Sequence, residues 1–461
     1  MASIIKRGKS FAVIYEYKDT EGTKRQKWET FPTKREAAAR KAEVENQQSK
    51  GTFIPPANTT VQEFLVDFVE MYGSKRWGLS VYEANTGLIR NYINPILGEY
   101  NVQDINRRVV DRFVVELQKT RPVETNNRKA RTEFLPPCTI EKICKLLHCA
   151  FHQAVRWDMV SKNPFEDAIL PKKEKKTRAI WTAEMIRKAL KNCSDGKLYV
   201  AINLAFACSL RMGEITGLTW DCVHISDADI AQDNARIVVN KELARVSQEA
   251  LKALGDNDVI FMFPRMVYGN SATRLVLKHP KTESSNRTIW LPKTLAYILR
   301  DWKAKQDKLK EIMGEEYTDY NLVLALETGR PCEDRVIGNQ FARLKKSANL
   351  PDVVFHSLRH SSTTYKLILN GGDIKATQGD TGHAQSYMVT EVYAHILDEE
   401  RKINAQKFEM AFYANPDMRG VERELNPPRE AEPAVDLQKL VAQLQENPEL
   451  AAQLKALLHT A

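Results

Sequence analysis

The sequence predicts a multidomain α+β protein. A small β-sheet-plus-helix unit comes first, a helical unit follows, and a mixed, mainly α domain with a small antiparallel sheet takes up most of the rest. Three observations lead there. A chain of 461 residues is too long for one ordinary domain, and about two to four folded units are expected. Its 43% hydrophobic and 28% charged residues describe a globular chain with a packed core. Composition also breaks at Pro55-Pro56 and again at the basic run Lys172-Lys173-Glu174-Lys175-Lys176-Thr177-Arg178, where linkers are expected.

In the first unit, residues Ser10 to Tyr17 and Gln26 to Phe31 have strand composition and flank a polar turn with Asp19 and Gly22. A helix is expected from about Lys34 to Ser49, opened by the capping-box pattern Thr33-x-x-Glu36. Lys6, Arg7, Lys9, Lys24, Arg25 and Lys27 cluster on or beside the strands; they suit either a sheet that enters a DNA groove or an ordinary solvated face.

The second unit, residues 59–170, reads as a bundle of about four short helices. Thr60-x-x-Glu63 and Ser80-x-x-Glu83 look like helix starts. Phe64, Leu65, Phe68, Val69 and Tyr72 recur at helical spacing, as do Val109, Val110, Phe113, Val114 and Leu117. A last helix is expected from about Thr139 to Trp157, after a polar loop over Arg121 to Pro137.

After the linker at 171–179, a mixed domain is expected over 180–412. Trp181-Thr182-Ala183-Glu184 opens a helix, and an apolar helix follows from Leu198 to Leu210. Strands are expected at Arg236 to Asn240, Thr273 to Leu277 and Arg287 to Leu291, the last two forming a hairpin; Ser247 to Thr273 enlarges this region. Residues 413–461 form a tail of different character, because residues 415–461 hold five basic and eight acidic residues in a chain of net charge +9. Leu437, Leu440, Val441 and Leu444 make one apolar stripe there, and Leu450, Leu454 and Leu457 another.

The longest apolar run, Leu198 to Leu210, is interrupted by Asn203 and is shorter than the roughly 20 residues a membrane span needs. With no signal-peptide pattern, a cytoplasmic protein is expected. Seven cysteines without a Cys-x-x-Cys pair argue against a disulfide framework. The net positive charge favours a polyanionic partner. Motifs for ATP binding, a zinc-protease helix and a serine-hydrolase elbow are absent. Cys144, His148 and His152 recur every four residues beside Cys149, but closing ligands at zinc-finger or ribbon spacing are missing.

The remaining chemistry lies in residues that handle phosphate. Arg211 follows the apolar helix with Glu214 one turn on. Lys281 falls between two expected strands, with Lys278 as a competitor for any role in proton transfer. His356 and Arg359 share one face at the start of a helix from Ser357 to Leu369, where a helix N-terminus favours an anion. Gly382-His383 follows, and Tyr393 comes ten residues later, on a short helix expected near Met388. A tyrosine hydroxyl is a poor nucleophile unless a base or flanking cations assist it.

In order, interval and local strings (Ser209-Leu210-Arg211-Met212-Gly213-Glu214 and Phe355-His356-Ser357-Leu358-Arg359-His360-Ser361) the set resembles the active site of the tyrosine recombinases, the phage and conjugative-transposon integrases. The resemblance covers most of the chain. It implies that residues 1–55 are an arm-type DNA-binding domain, that 59–170 are a SAM-like core-binding domain, and that 180–412 are the catalytic domain. It further implies Arg211, Lys281, His356, Arg359, His383 and Tyr393 as catalytic residues, with neither cofactor nor metal. Tyr393 would form a 3′-phosphotyrosyl link to DNA, and the chain would integrate and excise a mobile element. Its partners would be double-stranded DNA at core-type and arm-type attachment sites, three further copies of itself in a tetramer, an excisionase and a host DNA-bending protein, all at the bacterial nucleoid. Two other readings are a type IB topoisomerase-like enzyme and a non-catalytic DNA-binding regulator on the same scaffold.

Overall fold

The structure is a computed structural model that describes residues 2–18, 22–124, 129–173, 179–256, 258–265, 272–280, 285–370 and 373–381. Three antiparallel three-stranded sheets are present among them, and helices make up most of the rest. No helix among the described residues is long and apolar enough to cross a membrane.

The N-terminal sheet runs β1 (Ser3–Arg7), β2 (Ser10–Lys18), β3 (Lys24–Phe31) in that order, with α1 (Lys34–Ser49) on one face. The Thr33 side chain accepts the Glu36 N–H at 3.3 Å and starts α1 where the pattern predicts. Alternation along β2 sends Val13 and Tyr15 against Ala37 and Val44 of α1. The Tyr15 hydroxyl donates to Glu29 at 2.6 Å and Arg40 donates to the same carboxylate at 2.7 Å, which locks helix to sheet. Strand β1 was not expected, because Ser-Ile-Ile-Lys-Arg is too short to show an alternating pattern; pairing with β2 supplies what local propensity lacks.

The helical unit comprises α2 (Val61–Phe68), α3 (Ser74–Arg76), α4 (Leu79–Leu88), α5 (Asn94–Leu97), α6 (Arg107–Lys119) and α7 (Pro137–Arg156). Single π-turns join α2 to α3 and α4 to α5. Its core is Phe64, Phe68, Ile93, Phe113, Leu117 and Phe151. Both arms of the Thr60–Glu63 capping box form, stabilising the unit's first helix by about 1 kcal/mol. The second expected box does not form: α4 begins at Leu79 with Gly78 as its cap and no side-chain bond. The chain is extended at Trp77, whose ring lies so close over Gly73 that a Cβ there would sit 2.7 Å from it. Burial of Leu79 then sets the start of the helix.

The third unit comprises α8 (Ala183–Lys191), α9 (Gly196–Ala207), α10 (Met212–Thr216), β4 (Val223–His224), α11 (Asp227–Ala231), β5 (Arg236–Val239), β6 (Glu242–Ser247), α12 (Gln248–Leu254), β7 (Val259–Met262), β8 (Thr273–Lys278), β9 (Arg287–Trp290), α13 (Lys293–Met313), α14 (Asp334–Ser347), α15 (Ser357–Leu369) and α16 (Ile374–Thr381). Helix α9 is buried along Leu198, Ala201, Ile202, Leu204 and Ala205, in one core with Trp181, Leu299, Phe341 and Leu358.

The expected hairpin between β8 and β9 is absent. Strand β8 pairs with β6 and β7, one on each edge, while β9 pairs with β5 in a separate sheet ordered β4-β5-β9. Residues 242–262 contribute two strands that the sequence reading missed, and with both its edges occupied β8 has none left for β9. One face of the β6-β8-β7 sheet places Leu243, Leu275 and Leu277 against Phe263, Leu322 and Ala325. Its other face places Val246 and Val276 against Leu79 and Tyr82 of the helical unit.

Candidate active site

The described part of the site is built on a backbone reversal. Helix α9 ends at Ala207, three residues before the expected Leu210, because Ser209 takes a left-handed conformation with φ of 54°. The reversal carries Leu210 back into the core and puts Arg211 at the N-cap of α10. The Arg211 backbone N–H and its Nη1 donate to the two Glu214 carboxylate oxygens at 2.9 and 2.6 Å.

Helix α15 brings the other half. His356 caps it, and the His356 ring meets His360 edge to face at 4.9 Å between centroids. Arg359 is 2% exposed, and its Nη1 donates to the Ser209 carbonyl, 150 residues away in sequence. The Ser209 and Ser362 hydroxyls share a second hydrogen bond of 2.5 Å. Arg211, His356 and Arg359 are therefore gathered at one turn, by two buried hydrogen bonds between α15 and the α9–α10 reversal.

A residue missed in the sequence completes this group. Arg287, the first residue of β9, has a side chain 6% exposed and donates from Nη1 and Nη2 to the two Glu214 oxygens at 3.2 and 2.9 Å. It also donates to the Ser285 carbonyl at 3.0 Å. The signal was strand alternation: Arg287 lies on the same side of β9 as Ile289, which is buried, so a charge there points inward and needs a partner.

Electrostatics at the turn are dominated by cations. Burial, with Arg211 and Arg287 close by, pushes the Arg359 guanidinium from its ordinary 12.5 down to about 9. Burial by itself would raise the Glu214 carboxyl, but the hydrogen bonds and charge of Arg287, helped by Arg211, hold it below its ordinary range. Among the described residues, three guanidiniums gather around one carboxylate, an arrangement suited to an anion such as a phosphodiester.

Lys281, His383 and Tyr393 lie outside the described residues. Lys278 does not: its side chain is 12% exposed and its ammonium is ion-paired with Glu242 across the β6–β8 ladder. In the helical unit, Cys144 sits in the core with its thiol pushed up to about 11 by burial, and the Cys149 thiol lies 3.7 Å from the Tyr72 hydroxyl. No group of three metal-ligating side chains occurs among the described residues.

The N-terminal sheet offers a second surface. On the face away from α1, Arg7 stacks over Trp28 at 5.2 Å, reaching across β2. Trp28 is 47% exposed and pairs with Ile14 in register. The basic residues divide between the two faces, since Arg25 and Lys27 pair with Tyr17 and Tyr15 on the α1 side.

Two family models match the chain: "Phage integrase family" over residues 267–400 and "Phage integrase, N-terminal SAM-like domain" over residues 60–118. A "Tyrosine recombinase XerC-like" protein of Caldanaerobacter subterraneus subsp. tengcongensis is 23% identical over 380 residues, covering 80% of this chain and 88% of the relative. The chain belongs to the tyrosine recombinases. The ICEBs1 integrase of Bacillus subtilis is 22% identical to this recombinase over 71% of the chain and 77% of that relative. In fold, the recombinase is similar to a solved structure of the Tn1549 transposon integrase in complex with transposon right end DNA. The TM-score is 0.57 with 19% identity, over 77% of this chain and all of that one.

Proposed function

We propose that this tyrosine recombinase is a site-specific integrase that cuts and rejoins double-stranded DNA through a 3′-phosphotyrosyl intermediate, moving a mobile element into and out of a bacterial chromosome. One observation carries the reading. Arg211 and Arg359, far apart in sequence, are brought to one turn beside the buried Glu214 carboxylate, an arrangement suited to a scissile phosphate.

In the proposed reaction the Tyr393 oxygen attacks the phosphorus, and the bond to the 5′-oxygen of the next nucleotide breaks. The arginine pair stabilises the added charge on the non-bridging oxygens, and His383 donates a further hydrogen bond to them. His356 takes the Tyr393 proton, while Lys281 gives a proton to the departing 5′-oxygen. Attack by a 5′-hydroxyl of the partner duplex then reverses the chemistry and restores Tyr393. The covalent link keeps the energy of the phosphodiester, so the exchange needs no nucleotide hydrolysis. Burial of Lys278 in its pair with Glu242 supports Lys281 as the acid, because a solvent-shielded ion pair is a poor mobile donor.

On this reading the sheet face with Arg7 and Trp28 serves an arm-type domain, residues 1–55. The helical unit is the core-binding domain of 59–170, the basic run 171–179 crosses the phosphate backbone, and 180–412 is catalytic. Recombination would proceed in a homotetramer on DNA, with an excisionase and a host bending protein setting direction. A type IB topoisomerase-like enzyme shares the chemistry, but the two units ahead of the catalytic one favour an integrase.

The test is a nicked suicide duplex carrying the element's core site, from which the cleaved end diffuses away. A protease-sensitive covalent complex with DNA is expected; its absence with the wild-type protein refutes the catalytic reading and leaves a DNA-binding regulator.

A further inference from the structure

Glu214 is held from two sides, and the two arginines hold it differently. Arg287 comes from β9, is almost wholly buried and grips both carboxylate oxygens with its planar fork. Arg211 bonds Glu214 once from its side chain, to Oε1, and once from its backbone N–H, to Oε2, and its side chain is 34% exposed. Each Glu214 oxygen thus accepts once from each arginine, and the carboxylate plane is set by the deeper one.

We infer that Arg287 is a positioning residue of the recombinase, which acts through Glu214 to hold the Arg211 guanidinium at the surface, where the scissile phosphate docks. This rests on the catalytic reading of Arg211 above. The physical basis is competition for one carboxylate. With Arg287 engaged bidentately, Glu214 can offer the Arg211 side chain only a single contact, from Oε1. Without it, the buried carboxylate would draw the Arg211 fork into a two-pronged pair of its own, and the cation would turn away from substrate. A shift of about 1 Å in such a group costs on the order of a hundredfold in rate. Lysine at 287 keeps the charge but cannot present two parallel N–H groups, so the substitution isolates geometry from charge.

The experiment uses the full chain and single-turnover cleavage of the suicide duplex by wild type, Arg287→Lys, Arg211→Ala and the double variant. Thermal melting and gel-shift binding to the core site confirm that each variant folds and binds. Cleavage by Arg287→Lys should fall on the order of a hundredfold, while the double variant should be no slower than Arg211→Ala alone. A duplex whose scissile phosphate carries a neutral methyl in place of one non-bridging oxygen needs less cationic help, so the defect of Arg287→Lys should shrink on it. Equal defects on both substrates, or additive losses in the double variant, would overturn the inference. So would rescue by a 5′-bridging sulfur instead, since that points to the Lys281 segment through Ser285. Failure of the wild type to form any adduct would instead refute the catalytic reading, and the inference would fall with it.

Discussion

Arg359 donates to the backbone carbonyl of Ser209, a residue held in a left-handed conformation, and so fastens the helix start carrying His356 to the turn that aims Arg211. A side chain that carries this structural bond and, as proposed, a phosphate contact cannot be exchanged for lysine, which lacks the fork. Arg359→Lys should cleave the suicide duplex roughly 10²–10³-fold more slowly, the cost of losing one preorganised donor, with core-site binding in gel shifts little changed. Cleavage at the wild-type rate would contradict the double role.

Glu214 predicts an acid limit. Its folded-state pKa lies below the ordinary 4.5, so the unfolded chain binds more protons over that interval and stability rises with pH there. The contribution is complete above about pH 4.5 and is lost as pH falls through the depressed folded value. Urea denaturation of wild type and Glu214→Gln should therefore show a stability gap that is constant from neutral pH down to the ordinary value and narrows below it. A gap that widens in acid would mean that the folded-state value is raised instead.

Lys281→Ala should slow cleavage of ordinary DNA far more than cleavage of a duplex with a 5′-bridging sulfur, whose thiolate leaves without a proton. Lys278→Ala breaks the pair with Glu242 and should lower thermal stability while affecting both substrates equally. Selective rescue of the Lys278 variant by sulfur would transfer the acid role to it.

Much of this architecture was legible because the signals were local. Thr33 and Thr60 mark helix starts through their own side chains, and the apolar spacing of Phe64, Phe68, Phe113 and Leu117 places the helical core. Three kinds of feature were hidden. The early end of α9 depends on a left-handed Ser209, which hydrogen bonds from residues 150 and 153 positions away hold in place. The β6-β8-β7 sheet depends on pairing between strands too short to announce themselves. Arg287 reads as a surface charge until β9 is seen to turn it toward Glu214. Each is a tertiary contact overriding a weak local preference.

Deleting residues 1–55 should weaken binding to accessory arm sites and spare the core site. Arg7→Ala and Trp28→Ala should reproduce the arm-site loss within the intact chain, since together they form the stacked feature of the exposed sheet face. Fluorescence anisotropy with separate arm and core duplexes distinguishes the two. Loss of core-site binding alone would overturn the assignment of the N-terminal unit.

The most direct test of the central claim is mass spectrometry of the DNA-linked peptide from the trapped complex, with Tyr393→Phe run in parallel. A nucleotide adduct on Tyr393 is expected and, for Tyr393→Phe, normal core-site binding with no covalent complex. An adduct on another residue, or a covalent complex that survives in Tyr393→Phe, would contradict it.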